Sequence, residues 1–261
     1  MPSRCPGATG LQPGATTGAP PAAPPHLLRH LQPPSPPTDG SEPLTPLEPR
    51  STMTPTTDEM HATPVAPELL DELASVLAAQ SIRKGDFTLA SGAHSHYYCD
   101  TKATVLSPRG ARLCGRALLQ LILPHRPQAV GGLAMGAAYL ATAVALASDE
   151  DGQSPVFGFT VRAATKDHGI RNRIDCSWYP DGPLIAPGRR VALIDDVVTS
   201  AGSILQAIDA VQEAGCDVVA VAAVLDRRAG GAERIRERGL AFGALLEADD
   251  NGDLHHGSAI H

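Results

Sequence analysis

The stretch RRVALIDDVVTSAGSILQAIDAV (Arg189–Val211) joins a strand to a helix through an acidic pair and a run of small residues. Arg190 to Ile194 is an apolar run of strand length that ends at Asp195-Asp196. From Ser203 onward, Ile204, Ala207, Ile208 and Val211 repeat at helical spacing. Between them lie Thr199, Ser200, Ala201, Gly202 and Ser203. Such small side chains let a ligand approach the backbone, and the first turn of a helix offers unpaired N–H groups and the positive end of the helix dipole. A phosphate monoester fits there. The neighbouring carboxylates would repel that phosphate at contact distance, so they face another part of the ligand, either ribose hydroxyls that donate hydrogen bonds or a metal ion. The residues alone leave a plainer reading open, in which Asp196 closes a strand and Ser203 caps a helix.

Outward from this stretch, strands and helices alternate. Pro67 opens a helix whose buried face is Leu69, Leu70, Leu73, Val76 and Leu77, and Ser107-Pro108 opens another with Leu113, Ala117, Leu118 and Leu121. Residues 86–100 read as strand and turn, with Gly92 at the turn. AVGGL (Ala129–Leu133) is a short strand, Ala137 to Ala147 a small-residue helix, and PVFGFTV the next strand. DVVAVAAVLD (Asp217–Asp226) is apolar enough to be buried on both faces. This alternation predicts right-handed crossovers and a parallel sheet, whose ligands bind at the carboxyl ends of the strands. Asp195, Gly131, Arg162 and Asp226 are placed at such ends.

Composition excludes several classes of function. The chain of 261 residues is 43% hydrophobic and carries a formal charge of −7, without the basic footprint of a nucleic-acid binder. Only 3% of residues are aromatic, so Tyr97-Tyr98 in a polar context stands out. Five cysteines without a C-x-x-C pair fit free thiols in a reducing compartment, which makes the cytoplasm the expected location. No apolar run approaches bilayer length, and the N-terminus lacks the pattern of a secretory signal. Fifteen of the 24 prolines fall in the first 60 residues. Residues 1–62 are therefore expected to be a disordered extension, with a Pro-rich docking tail as the alternative.

The run IDDVVTSAGS with its following helix resembles the phosphoribosyl-pyrophosphate signature of type I phosphoribosyltransferases. FTLASGAHSHYYCD (Phe87–Asp100), AVGGLAMGAAYLA (Ala129–Ala141), FTVRAATKDHG (Phe159–Gly169) and VLDRRAGG (Val224–Gly231) narrow the resemblance to the orotate phosphoribosyltransferases, over about Pro67 to Glu247. The resemblance implies an α/β fold with a central, mostly parallel sheet flanked by helices, a small N-terminal hood and a mobile active-site loop. On that scheme residues 63–261 form the domain, with the hood at about 63–106, the core at about 107–247 and a short C-terminal tail. It also implies a homodimer whose loop serves the neighbouring subunit, Mg²⁺ as cofactor without direct protein ligands, and orotate and phosphoribosyl pyrophosphate as substrates.

Residue by residue, the resemblance gives Asp195, Asp196, Lys166 and His168 the catalytic roles. Donor binding falls to Arg162, Lys166, His168, Asp195, Asp196, Val197, Val198, Thr199, Ser200, Ala201, Gly202 and Ser203. The turn from Leu133 to Ala137 meets the pyrophosphate, although close packing explains Gly131 and Gly132 equally well. Orotate falls to Thr199 and Arg227, with Tyr97 and Tyr98 stacking on the pyrimidine. Three positions depart from the pattern: Ala163 stands where many relatives have a second lysine, Ala90 where some have lysine, and Ala201 where glycine is usual. The rival readings are transfer to another base and a donor-sensing regulator.

Overall fold

The rules of parallel-sheet burial extend several elements beyond their apolar cores. In a computed structural model, residues 65–88, 94–150, 155–163, 173–175, 178–179 and 182–261 are described. All of them belong to the unit Thr56–His261; the other unit, Met1–Pro55, lies outside them, as does the whole expected extension, residues 1–62. In chain order the elements are α1 (Pro67–Ser81), β1 (Ile82–Thr88), β2 (His94–Cys99), α2 (Lys102–Val105), α3 (Pro108–Ile122), β3 (Ala129–Leu133), α4 (Gly136–Glu150), β4 (Phe157–Val161), β5 (Ile174–Asp175), β6 (Trp178–Tyr179), β7 (Gly182–Pro183), β8 (Arg190–Val198), α5 (Gly202–Glu213), β9 (Asp217–Asp226), α6 (Gly231–Arg236), β10 (Phe242–Ala248) and β11 (Leu254–His256).

Seven strands form the main sheet in the order β11-β10-β9-β8-β3-β4-β5. The five central strands pair in parallel and both edge strands pair antiparallel. Helices α1, α3 and α4 cover one face, where Leu73, Leu77, Leu118 and Leu140 are fully buried, and α5 and α6 cover the other with Ile204, Ile208 and Ile235. The chain runs one way from β3 through α4 to β4, then returns to the far side of β3 and continues through β8, β9 and β10. The order therefore reverses between β3 and β8, and the crevice at their carboxyl ends is the switch point where doubly wound sheets take ligands.

Two local causes fix the approach to this crevice. Ser107 caps α3 by accepting a hydrogen bond from the Gly110 N–H at 3.1 Å, with Pro108 in the first turn. Gly110 itself touches α2, since a Cβ there would lie 2.1 Å from the Thr104 carbonyl oxygen. Within the hood, strands β1 and β2 pair antiparallel, and the strand begins at Ile82, directly after α1, earlier than the residue 86 at which the strand-and-turn region is read from sequence. Gly92, expected at its turn, lies outside the described residues. The short C-terminal segment forms edge strand β11; Ile260 beyond it is buried, and Lys84 of the hood pairs with Asp253 at 2.5 Å.

Candidate active site

Strand β8 does not stop at the acidic pair. It continues to Val198, paired with β9 as far as Asp226, so Asp195 and Asp196 sit inside the strand, side by side on opposite faces. Asp195 is buried at 5% exposure and its Oδ1 accepts the Asp196 N–H at 3.0 Å. Burial, reinforced by the Asp196 carboxylate, pushes its acid up to about 7. Asp196 is half-buried and held at both oxygens. Its Oδ1 accepts the Val197 N–H at 3.0 Å and its Oδ2 accepts the Thr101 hydroxyl at 2.6 Å. Across the switch point, a Cβ on Gly136 would lie 2.6 Å from the same Oδ1, so the first residue of α4 must be glycine for the carboxylate to fit.

Val197 and Val198, grouped above with the phosphate loop, lie in β8. The Val198 side chain is 1% exposed and packs in the core, which leaves only backbone for a ligand. Thr199 and Ser200 form the exposed bend. Ala201 is left-handed at φ 60°, ψ 16°, and Gly202 and Ser203 open α5. No side chain caps this helix, so Ser203 does not act as its cap and the first-turn N–H groups face the bend. The loop is braced from behind. The Arg227 N–H donates to the Val198 carbonyl at 2.9 Å, Arg234 donates to the Ser200 carbonyl, and Gly231 packs so tightly that a Cβ would meet the Thr199 carbonyl oxygen at 2.6 Å.

Ala201 shows how magnitudes decide. A left-handed Ala costs about 1–2 kcal/mol. Against that, its buried methyl contributes about 0.8 kcal/mol and it restricts the unfolded chain by about 0.4–1 kcal/mol relative to glycine. The terms nearly cancel, so Ala201→Gly is expected to shift unfolding free energy by less than about 1 kcal/mol. Ala201→Val, β-branched at positive φ, is expected to cost more than about 2 kcal/mol. Urea unfolding of the three proteins checks this; equal losses for Gly and Val would show that space, and not backbone, governs the site.

Gly131 and Gly132 serve packing. Cβ atoms there would lie 2.4 Å from the Phe159 carbonyl oxygen and 2.2 Å from that of Ile194, so neighbouring strands close over them. The turn between β3 and α4 contains a cis Ala134–Met135 bond, and Met135 is 60% exposed. Beyond β4, the Arg162 guanidinium grips Asp175 of β5 with two hydrogen bonds, Nε to Oδ2 at 2.6 Å and Nη2 to Oδ1 at 2.5 Å. Among the described residues its fork thus faces a carboxylate of its own chain. Lys166 and His168, together with Ala90, lie outside the described residues.

On the hood side, strand alternation separates the two tyrosines. Tyr98 is 47% exposed beside Phe87, with ring centroids 5.9 Å apart. Tyr97 is 3% exposed under the Arg227 guanidinium, 4.4 Å from its ring, with Gly252 against its edge. Both rings stacking on one base is therefore corrected: neighbours on a strand point to opposite faces, and Tyr97 supports Arg227 instead. Arg227 Nε donates to the Tyr97 hydroxyl at 2.9 Å and Nη2 to Ser95 Oγ at 3.2 Å, which leaves its remaining N–H groups for a ligand. Asp226 points back, accepting the Arg228 N–H at 2.8 Å. Thr101, Ser95 and Asp175 were not singled out from sequence. Their partners lie 95, 132 and 13 positions away, so no local spacing marks them.

This arrangement has close relatives. A family model described as "Phosphoribosyl transferase domain" matches residues 103–237. Orotate phosphoribosyltransferase of Rhodopirellula baltica is 39% identical over 190 residues, covering 70% of this chain and 94% of that protein. The Aquifex aeolicus enzyme of the same name is 37% identical over 183 residues, covering 69% and 96%. Among solved structures, Mycobacterium tuberculosis orotate phosphoribosyltransferase in complex with 5-phospho-alpha-D-ribosyl 1-diphosphate superposes with a TM-score of 0.57 at 33% identity, covering 69% of this chain and 96% of that one. With the acidic pair, the bare helix terminus and the hood-held arginine gathered at one switch point, the chain belongs to the orotate phosphoribosyltransferases.

Proposed function

We infer that the chain transfers the 5-phosphoribosyl group from phosphoribosyl pyrophosphate to N1 of orotate, giving orotidine 5′-phosphate and pyrophosphate in pyrimidine biosynthesis. The observation that carries this reading is the placing of three groups at the carboxyl ends of the neighbouring strands β8 and β9: an uncapped helix terminus for the 5′-phosphate, Asp195-Asp196 for the ribose, and Arg227 for a planar carboxylate-bearing base. The bond from the ribosyl carbon to the pyrophosphate oxygen breaks as the bond to N1 forms. Positioning and electrostatics supply the acceleration, with binding energy from the remote phosphate fixing the reacting carbon. Arg162, Lys166 and His168 stabilise the departing pyrophosphate, and Arg162 must leave Asp175 to do so.

Mg²⁺ fits as an ion carried by the donor. Its shell would be completed by donor oxygens and water, with Asp195 and Asp196 the carboxylates of the crevice that lie beside the donor. The ion supplies charge neutralisation on the pyrophosphate. We place the enzyme in the cytoplasm on its odd count of scattered cysteines; burial raises the Cys99 thiol to about 11 and the Cys114 thiol to about 12.

The homodimer proposed here uses the groove between α3 and α4. This groove encloses about 480 Å³ and bears Leu106 and Leu146, 58% and 62% exposed, with Arg112 and Arg116 at its rim. Exposed leucines grouped along one groove mark an interaction surface. Leu146→Glu is expected to convert a dimer to monomer by light scattering and to lower activity at least tenfold through loss of the shared loop, on the order of one lost catalytic cation. An unchanged mass would place the interface elsewhere.

The test of function is direct. Purified protein with Mg²⁺, donor and orotate should consume the ultraviolet absorbance of orotate. Adenine, hypoxanthine or uracil consumed in its place, with orotate untouched, would redirect the reading to another base, and silence with every base would favour the regulator.

A further inference from the structure

We propose that Thr101 is a positioning residue for phosphoribosyl transfer, its hydroxyl setting the orientation in which the Asp196 carboxylate meets the donor's ribose. This rests on the reading that Asp196 contacts ribose. Thr101 is 1% exposed and donates to Asp196 Oδ2 at 2.6 Å, the one described side-chain bond that joins the hood end of the chain to the acidic pair. Its carrier is rigid. The Thr101 carbonyl accepts the Thr104 and Val105 N–H groups at 3.0 and 2.9 Å, closing the turn of α2. That turn is tied to α1 by the buried Ser81–Thr104 hydroxyl pair at 2.7 Å and to α3 by the close approach at Gly110.

Asp196 needs such a constraint. Its Oδ1 is fixed by the Val197 N–H and crowded by Gly136, but these leave the carboxylate free to rock about the Cβ–Cγ bond. The Thr101 hydroxyl closes that freedom from the opposite side. A functional group held within about 10–20° of its productive geometry by a supporting hydrogen bond on a rigid element is the arrangement that orientation-dependent catalysis requires. The bond also gives the hood a part in donor binding, separate from its contact with Arg227.

The test uses Thr101→Val, which keeps the shape and removes the hydroxyl, and Thr101→Ser, which keeps the hydroxyl. In the full-length enzyme Thr101→Val is expected to lower kcat/KM for the donor by about 10- to 30-fold, the size of one lost hydrogen bond to a charged group, with orotate KM within about twofold. Thr101→Ser should retain at least about half the activity. In an Asp196→Asn background, Thr101→Val should add less than about twofold, because the partner is already altered. Thr101→Val at wild-type activity, or Thr101→Ser as impaired as Val, would overturn the proposal. If Asp196→Asn alone leaves donor kinetics unchanged, the ribose reading fails instead. Should Thr101→Val not fold, Thr101→Ser and Thr101→Cys decide it: the weak thiol donor must fall well below Ser.

Discussion

An Asp195→Asn enzyme is expected to be more stable than its parent at pH 8 by on the order of 2–4 kcal/mol, and to turn over at least about 100-fold more slowly. The stability gain follows from a carboxyl whose acid is raised to about 7 in the folded chain by burial and by the Asp196 charge, against about 3.9 when unfolded. Between those pH values the folded protein keeps a proton that the unfolded chain has released. Stability from this group is therefore complete below about pH 4, falls as pH rises to about 7 and is flat above. Asparagine has no such proton to lose, so the urea midpoints of parent and variant should nearly coincide below about pH 4, draw apart as pH rises to about 7 and stay apart at pH 8. Asp226, also raised by burial, tilts both proteins in the same sense and cancels in the comparison. Parallel pH profiles for the two proteins would refute the buried-charge account. The activity loss follows from the ribose contact proposed for the acidic pair, because an amide cannot supply negative charge to a cation-like ribosyl carbon.

What the chain declares locally, it declares well. Pro67, Ser107-Pro108 and the aliphatic run of β9 set elements whose starts come from caps and periodicity, and the alternation of strands and helices is enough to place the switch point. What depends on a neighbour is hidden. Strand β8 runs on through Val197 and Val198 because β9 offers a partner up to Asp226, so two carboxylates are held inside a sheet where polarity alone argued for a loop. Gly131 and Gly132 are equally compatible with a ligand or with packing in the sequence, and only Phe159 and Ile194 pressing on them decide for packing. Tyr97 and Tyr98 are adjacent in sequence, yet the pleat sends one beneath Arg227 and the other to solvent. The Thr101–Asp196 bond spans 95 positions and leaves no mark on either segment. Ala201 is the opposite case: its departure from glycine is legible in one letter, and the left-handed backbone there gives that letter its cost.

Arg227→Leu is expected to lower kcat/KM for orotate by about 100- to 1000-fold, because a site built to grip a carboxylate discriminates by leaving polar groups unpaired when the grip is gone. The donor KM should stay within about threefold, since Arg227 meets the strand leading into the phosphate loop through its backbone N–H, which the substitution keeps. The guanidinium is pre-organised on three sides, by the Tyr97 hydroxyl at 2.9 Å, Ser95 Oγ at 3.2 Å and the Tyr97 ring 4.4 Å below, so little ordering remains to be done when the base arrives. Lysine offers neither the fork nor the flat face, and Arg227→Lys should recover less than about a tenth of the loss. Tyr97→Phe separates support from grip. The ring remains under the guanidinium while one hydrogen bond to a charged group, worth about 1.5 kcal/mol, is lost, so the orotate KM should rise by about tenfold, well short of the loss at Arg227→Leu. Steady-state kinetics in both substrates distinguishes the outcomes: an Arg227→Lys enzyme near wild type would mean that charge alone recruits the base, whereas a Tyr97→Phe enzyme as poor as Arg227→Leu would make the hydroxyl, and through it the hood, the true holder of the fork.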